Sequence, residues 1–445
     1  MTMTPPSATE GNFACWFECF SGCGSRYEVD EVVYQCTSCG GLLEVRHDLD
    51  ALRSITPDGW KKLLDSRLGA LSGVWSKREL VFPSISSNQI VSLGEGNTPL
   101  LSSPRMAEDL GVGEIYIKQC GTSHTGSFKD LGMTVLVSAV NRIRTKIRAV
   151  ACASTGDTSA ALAAYASAAG IPAIVFLPRD KISLAQLIQP IANGALTLSI
   201  DTDFDGCMKI VRKITEDRSI YLANSMNSLR IEGQKSISVE IVQQMGWEVP
   251  DYVVVPGGNL GNISAIAGGF LLLKEIGLIE RLPRLVCAQT EQANPFYRAY
   301  LDGLEKLEPV AAGATMATAI QIGNPVSFPK AVRAIAATDG IVAQASEAEL
   351  VDAACHGDRF GFFNDPQTGV ALAVLKKLIG DGTIEPRARV VVISTAHGLK
   401  FVDFKLKAHQ GRVPDTDPSS RNVPVEVPAQ VDRIRDVING KLPAS

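Results

Sequence analysis

The chain lacks the features of a membrane protein and of a nucleic-acid-binding protein. No apolar run approaches the roughly 20 residues that a membrane-spanning helix needs. Lysines and arginines number 43 against 47 aspartates and glutamates, so no basic excess attracts nucleic acid or an anionic membrane. No basic segment followed by an apolar one stands near residue 1, so we expect no secretory signal. We therefore expect a cytoplasmic protein that binds neither nucleic acid nor membranes.

Internal repeats, low-complexity tracts, the dinucleotide-binding fingerprint and the Walker phosphate loop are also absent from the sequence. The length of 445 residues exceeds one ordinary core and indicates two or three domains. A hydrophobic content of 45% with 20% charged residues is typical of a globular protein. Half of the ten cysteines are scattered through apolar segments, where we expect reduced, buried thiols: Cys120, Cys152, Cys207, Cys287 and Cys355.

Short β-branched runs alternate with longer alanine-rich runs from residue 114 onward. Continuous apolar strands are typical of a parallel sheet that helices cover on both faces. The alternation predicts the α/β class, with a second sheet over residues 250–400. The candidate strands lie at 115–117, 149–151, 173–177, 196–200, 220–222, 252–255, 284–287 and 390–393.

Lys129 is the first candidate for chemistry. It follows Gly126 and Ser127 and opens the apolar helical run 131–137. A lysine at a helix start feels the positive end of the helix dipole, which disfavours its ammonium form. A neutral amine can attack an aldehyde, and proteins hold pyridoxal phosphate (PLP) through the resulting Schiff base. The alternative is a solvated surface lysine.

A glycine-rich loop follows the candidate strand at 252–255. Glycines let consecutive backbone amides converge, and the N-terminus of the helix that follows favours an anion. The loop predicts a phosphate site, with a merely tight strand-to-helix turn as the alternative. Its residues are Gly257, Gly258, Asn259, Leu260, Gly261 and Asn262.

Two further polar loops follow candidate strands. Residues 154–159 offer hydroxyls and amides that suit a carboxylate, although an ordinary helix cap would use the same residues. Residues 394–398 include Thr395 and His397, and we interpret His397 as structural. Ligands of open α/β sheets bind at the carboxyl ends of strands, so all these loops can face one crevice.

These segments, in this order, resemble those of the threonine synthases, which are PLP enzymes of the tryptophan-synthase β-subunit fold type. Residues 94–100 and 224–235 strengthen the resemblance, and residues 153–159 and 201–207 bring it closest to the plant-type branch. It implies PLP fold type II, with two open three-layer α/β/α domains and a small N-terminal ribbon-like element, and it implies a homodimer. We accordingly divide the chain into a cysteine-rich ribbon-like segment, a large PLP-binding domain in two pieces, a small mobile domain and a C-terminal extension: 1–48, 49–113 with 246–405, 114–245 and 406–445.

The resemblance also implies a role for each candidate residue. Lys129 would form the Schiff base and move protons, residues 257–262 would hold the cofactor phosphate, and Thr395 would bond a largely unprotonated pyridine nitrogen. The implied reaction converts O-phospho-L-homoserine and water to L-threonine and phosphate, the last step of threonine biosynthesis. The hydroxyl loop would hold the substrate carboxylate, and a serine and an arginine its phosphate. The implied substrate-binding residues are Ser154, Thr155, Thr158, Ser159, Ser225 and Arg230.

Asp157 departs from the pattern of most fold relatives, which carry asparagine there to bond the phenolic oxygen of the cofactor. An ionised carboxylate would repel a phenolate, so we expect Asp157 to be protonated or turned away. The plant-type branch shares this aspartate.

The remaining five cysteines cluster near the N-terminus. Twelve residues separate the pair Cys19 and Cys23 from the pair Cys36 and Cys39, and glycine follows the second cysteine of each pair. This spacing resembles a zinc ribbon, with Cys15 as a fifth candidate ligand. The alternative is a ribbon-like fold whose cysteines pack without metal.

Two other functions compete with this interpretation. A related PLP lyase that acts on O-phosphoserine would use the same scaffold with a shorter substrate pocket. A zinc-ribbon protein that binds nucleic acid would need a basic, aromatic surface, which the acidic balance does not provide.

Overall fold

A computed structural model describes residues 13–154, 156–179, 184–202 and 204–442 of the chain. The strands among these residues are β1 Cys15–Cys19, β2 Arg26–Tyr27, β3 Leu43–His47, β4 Leu100–Ser102, β5 Glu114–Gln119, β6 Ala149–Ala153, β7 Ala173–Pro178, β8 Leu196–Ile200, β9 Ile220–Leu222, β10 Tyr252–Pro256, β11 Arg284–Thr290, β12 Ile341–Ala345 and β13 Arg389–Ser394. The helices are α1 Leu49–Arg53, α2 Pro57–Asp65, α3 Arg78–Val81, α4 Pro104–Leu110, α5 Lys129–Arg142, α6 Asp157–Ala168, α7 Leu184–Ala192, α8 Phe204–Ile214, α9 Ser228–Gln234, α10 Ser236–Gln244, α11 Gly261–Glu275, α12 Pro295–Leu301, α13 Phe328–Ala337, α14 Glu347–Asp358, α15 Pro366–Gly380, α16 Val402–His409 and α17 Val431–Lys441.

The larger sheet has six strands in the order β12-β11-β10-β13-β5-β4. All neighbours pair in parallel except β4, which runs antiparallel to β5 at the edge. At the centre, Val254 of β10 lies between Val286 and Val392, and all three are fully buried. Valine-rich central strands with both faces covered confirm the predicted α/β class with a parallel sheet.

The smaller sheet has four parallel strands in the order β8-β7-β6-β9. Every residue of β6 is buried, and its alanines leave room for α6. We call the two sheets with their helices the six-stranded unit and the four-stranded unit. The carboxyl ends of β5, β10 and β13 in one unit and of β6 and β9 in the other lead into the loops considered below.

One strand lies in a different sheet from the one predicted. We expected the strand near residue 115 to open the small domain at 114–245, but β5 pairs with β13 over the register from Glu114 opposite Arg389 to Gln119 opposite Ser394. Its assignment to the small domain was therefore wrong, and β5 belongs to the six-stranded unit. The four-stranded unit begins with β6.

The N-terminal segment forms a three-stranded antiparallel sheet in the order β2-β1-β3, in agreement with the expected ribbon-like element. Strand β3 lies on helix α9, where Ser228 Oγ donates to the carbonyl of Leu43. Lys330 Nζ of α13 donates to the same carbonyl at 2.6 Å. The ribbon is therefore tied to both α9 and α13.

Helices α5 and α9 cross closely because glycines lie at their contact. A Cβ at Gly233 would stand 1.8 Å from the carbonyl oxygen of Leu131, and one at Gly132 would stand 2.7 Å from that of Arg230. Side chains larger than hydrogen would force the helices apart. This contact sets the start of α5, with Lys129, next to the start of α9, with Arg230.

None of the helices in the described ranges is long and apolar enough to cross a bilayer.

Candidate functional site

Lys129 is the first residue of α5, as predicted, and its amine lies 3.7 Å from the ring centre of Phe128. Burial, and after it the positive charge of Arg230, lowers the pKa of Lys129 to about 7. The lowered pKa agrees with the sequence prediction, but its main cause is loss of solvent rather than the helix dipole. At neutral pH a large fraction of this amine is therefore uncharged and nucleophilic.

The loop before Lys129 lies against the segment after β13. The amide of Phe128 donates to the carbonyl of Thr395 at 2.9 Å, and that of His397 donates to Gly126 at 2.9 Å. Ser127 and Ala396 form an isolated antiparallel bridge. The structure thus brings Lys129 and Thr395 together, as the strand-end argument predicted.

Thr395 is held by a buried carboxylate that sequence reasoning missed. Its hydroxyl lies 3.3 Å from both oxygens of Asp365, which caps the N-terminus of α15 and accepts the amides of Thr368 and Ala396. Burial raises the pKa of Asp365. The sequence signal for this residue is the pair Asp365 and Pro366, a cap followed by proline at the first helical position.

The glycine loop has the form of an anion cradle. Leu260 takes the left-handed conformation, with φ of 63°, and α11 begins at the next residue. The backbone amides of residues 258–261 donate to no group in the described ranges. Asn262 is only 7% exposed, yet neither atom of its amide has a hydrogen-bond partner in the described part of the chain. Buried polar groups without partners are costly, and a phosphate that accepts from this loop would satisfy its amides and Nδ2 of Asn262.

The same loop leaves no room for larger side chains. A Cβ at Gly257 would stand 2.4 Å from Sγ of Cys287, and one at Gly258 would stand 3.0 Å from Ile320. Glycine is required here because the backbone itself approaches its neighbours closely.

Arg230 is the most unusual charge in the site. It is 3% exposed and donates to the carbonyl of Ala223 at 3.1 Å and to Thr158 Oγ1 at 3.2 Å. Its Nε has no partner in the described ranges, and it forms no salt bridge with a carboxylate there. Burial lowers the pKa of Arg230 to about 10. A buried guanidinium that has no carboxylate partner is a candidate anion-binding site.

The hydroxyl loop divides into residues that face Arg230 and residues that hold the loop. Ser159 is fully buried and donates to the carbonyl of Gly156 at 2.7 Å, so the proton of its hydroxyl is engaged within the turn. Ser154 Oγ accepts the amide of Gly156 at 3.2 Å. Thr155 lies outside the described residues. Ser225 lies five residues before Arg230 in the segment between β9 and α9.

Asp157 is the first residue of α6, and its Oδ1 lies 3.1 Å from Nζ of Lys400. The sequence left two alternatives, a protonated carboxyl or one turned away from the cofactor. The ion pair supplies a third arrangement, in which a cation compensates the carboxylate. Sequence reasoning missed Lys400, and its only signal was its position three residues after His397, which caps the 3₁₀ turn Gly398–Phe401.

The N-terminal cysteines meet in one cluster. The Sγ atoms of Cys19, Cys23, Cys36 and Cys39 all lie within 4.8 Å of one another. The Cys19–Cys39 and Cys23–Cys36 pairs are 3.4 Å apart. Four thiolates at this separation can surround one tetrahedral zinc ion. Cys15 is outside the cluster and is buried in the core.

The scattered cysteines are buried, as predicted. They are Cys120, Cys152, Cys207, Cys287 and Cys355.

A protein-family model described as "Pyridoxal-phosphate dependent enzyme" matches residues 91–396. The chain is 51% identical over 444 residues to "Threonine synthase 2, chloroplastic" of Arabidopsis thaliana, an alignment that covers 98% of this chain and 83% of that protein. It is 40% identical over 389 residues to the threonine synthase of Methanocaldococcus jannaschii, covering 87% of this chain and 94% of that one.

Two solved structures show how widely the fold is shared. Threonine synthase from Escherichia coli superposes with a TM-score of 0.65 at 20% identity, covering 96% of this chain and 100% of that one. Maize serine racemase superposes with a TM-score of 0.60 at 18% identity, covering 76% and 97%. Because the same fold carries different activities, the function has to be argued from the site.

Proposed function

Because the chain belongs to the threonine synthase family of PLP-dependent enzymes, we propose that this site converts O-phospho-L-homoserine and water to L-threonine and phosphate. The observation that carries the proposal is the buried Arg230, which forms no ion pair with a carboxylate of the described residues and lies beside Lys129 in the same site. The glycine loop accounts for the phosphate of a cofactor. Arg230 therefore offers a place for a second phosphate, which the substrate carries.

PLP fits the residues present, since the amides of 258–261 and the Asn262 side chain lack partners in the described chain and Lys129 has a lowered pKa. Residues 257–262 would hold its phosphate, and Thr395 would hydrogen-bond its pyridine nitrogen. Asp157 lies in the four-stranded unit. When bound, the cofactor withdraws electrons from the substrate Cα and makes the Cα proton acidic.

Lys129 Nζ would do the proton chemistry. It takes the proton from Cα and then one from Cβ, while phosphate leaves Cγ toward Arg230. Water adds its hydroxyl at Cβ and gives its remaining proton to the departing phosphate, and the two protons that Lys129 removed return to Cγ and Cα to complete threonine. A group with a pKa near 7 suits both removal and return of protons at neutral pH.

Ser154 and Thr158 would orient the substrate, together with Ser225. The hydroxyl of Thr158 already accepts from Arg230, so it can present its own proton to a substrate oxygen.

Phosphate release from two substrates tests the assignment. We expect purified protein with added PLP to release phosphate and form threonine from O-phosphohomoserine, with O-phosphoserine a poor substrate. Release from O-phosphoserine alone would overturn the choice of substrate. A protein that develops no visible absorbance with PLP would contradict the enzyme itself.

We also propose that the four clustered cysteines bind a structural zinc ion. The protein purified without chelator should contain about one zinc per chain. Cys23 and Cys39 are exposed, so their replacement by serine should lower the zinc content without removing a buried side chain from the core. A chelator should lower the Tm of the wild-type protein, because the metal holds the ribbon together, and should leave the Tm of the serine variants unchanged. Zinc well below one per chain would contradict the site.

The remaining parts of the proposal concern the assembly. The four-stranded unit would close on the six-stranded unit when substrate binds, since the reaction needs protection from bulk water. We propose a cytoplasmic homodimer, to be checked by fractionation and by mass in solution.

A further inference from the structure

Lys400 lies at a junction of three segments. It belongs to the 3₁₀ turn Gly398–Phe401, which follows β13 in the six-stranded unit. Its Nζ donates to the carbonyl of Thr125 at 2.8 Å and to Oε1 of Gln189 at 2.8 Å, and it lies 3.1 Å from Oδ1 of Asp157. The side chain is 13% exposed. All three N–H groups of the ammonium therefore have a partner.

These partners come from both sides of the site. Thr125 lies in the loop that leads to Lys129, where its amide and hydroxyl bind the buried Asp130. Asp157 begins α6 and Gln189 lies in α7, two helices of the four-stranded unit. One ammonium group thus joins the six-stranded unit, the lysine loop and the four-stranded unit.

Gly126 and Gln189 lie close to the side chain of Lys400. Gly126, with φ of +83°, approaches it so closely that a Cβ there would stand 3.1 Å from Cδ of Lys400. Gln189 Nε2 also donates to the carbonyl of Thr125 at 3.1 Å, so the amide and the ammonium converge on one oxygen.

The charge of Lys400 has a specific counterpart. The buried charges around Lys129 include Arg230, Asp365 and Asp157, and Asp157 is the carboxylate that Lys400 pairs with. Without Lys400, a 9%-exposed carboxylate would stand unpaired at the edge of the site. A buried charge that loses its partner is strongly unfavourable.

We propose that Lys400 is a positioning residue that compensates the charge of Asp157 and latches the four-stranded unit against the Lys129 loop. The inference rests on the proposed function for its kinetic consequence, but the latch itself is a property of the chain. Lys400 touches no reacting atom in this scheme, and it acts through Asp157, Gln189 and Thr125.

A double-mutant cycle tests the pairing. Lys400→Met should lower kcat/KM for O-phosphohomoserine roughly 30- to 100-fold, since it leaves Asp157 uncompensated. Asp157→Asn in the Lys400→Met background should recover part of that loss, because the amide needs no cation. If the loss of kcat/KM in the double variant equals the product of the losses in the two single variants, the charge pairing is wrong. Lys400→Arg keeps the charge and should retain more activity than Lys400→Met.

Hydrogen exchange tests the latch without turnover. In the protein without substrate, amides in the peptides 121–128 and 187–192 should exchange several-fold faster in Lys400→Met than in wild type. Lys405→Met is the matched control, because Lys405 pairs with Asp358 inside the six-stranded unit alone. It should leave the exchange of both peptides unchanged. Unchanged exchange in Lys400→Met would overturn the latch.

The kinetic cycle and the hydrogen-exchange experiment together distinguish failure of this inference from failure of the proposed function. If wild-type protein does not turn over O-phosphohomoserine, the function is wrong, while the exchange arm still decides the latch. If Lys400→Met does not fold, Lys400→Gln, which keeps two donors without the charge, enters the same cycle with the same expected rescue by Asp157→Asn.

Discussion

Lys129→Ala should abolish threonine formation, with kcat at least roughly four orders of magnitude lower than in wild type, because it removes the group proposed for both covalent attachment and proton transfer. The variant should fold, since Lys129 is at the first turn of α5 and its amine makes no hydrogen bond to any described residue. Activity and the visible absorbance of bound PLP should disappear together. A variant that keeps more than a few per cent of wild-type turnover would contradict the assignment.

Two other buried lysines provide the comparison within the chain. Burial lowers the pKa of Lys77 and of Lys330 to about 8. Both amines donate to backbone carbonyls, that of Gly73 and that of Leu43. The amine of Lys129 is available to attack an aldehyde, whereas the amines of Lys77 and Lys330 are held in hydrogen bonds. Borohydride reduction of the protein with PLP, followed by mass spectrometry, should therefore label the Lys129 peptide and leave the other two unlabelled.

The pH dependence of PLP capture follows from the same pKa. Below about 7 the amine of Lys129 is an ammonium ion and does not attack an aldehyde, and above it the amine is neutral. The rate at which cofactor-free protein takes up PLP should rise with pH through about 7 and then level off. An exposed lysine would give a rate that continues to rise toward about pH 10. Stopped-flow absorbance over this range distinguishes the two.

The strands of the fold were largely predictable because their signal is local. A continuous apolar run such as 390–393 can be recognised without knowing its neighbours, and the structure has it as β13. Pairing is not local. Strand β5 precedes the four-stranded unit in the chain, yet it joins β13, which lies far downstream. A division drawn along the sequence therefore placed it in the wrong unit.

The candidate site divides in the same way. Lys129, the glycine loop and Thr395 could be proposed from the sequence because turn chemistry marks the ends of strands. Lys400 and Asp365 were missed because their importance lies in what they contact: one lysine among many, and one helix cap among several. Asp157 shows the limit most clearly. Its sequence context allowed a neutral or a displaced carboxyl, and only the position of Lys400 supplied its partner.

Arg230→Leu should lower kcat/KM for O-phosphohomoserine roughly 100- to 1,000-fold, the effect expected if this buried charge binds the substrate phosphate as proposed. The apparent affinity for inorganic phosphate as an inhibitor should fall with it. The surface variant Arg281→Gln is the matched control, since Arg281 pairs with Asp251 away from the site, and it should leave both quantities unchanged. Wild-type inhibition by phosphate in Arg230→Leu would contradict the phosphate-binding role.

The unliganded stability of the same variant separates function from architecture. A structural arginine would be buried with a carboxylate, and its loss would lower the Tm. Arg230 forms no salt bridge within the described chain, and burial lowers its pKa to about 10. Its buried charge therefore lowers the stability of the folded protein without ligands. Replacing it with leucine should therefore leave the Tm without ligands unchanged or higher, while substrate binding is lost. Because the charge of Arg230 also lowers the pKa of Lys129, the pH profile of PLP capture should move to higher pH in this variant. A Tm that falls together with an unmoved profile would show that the arginine supports the fold and not the site.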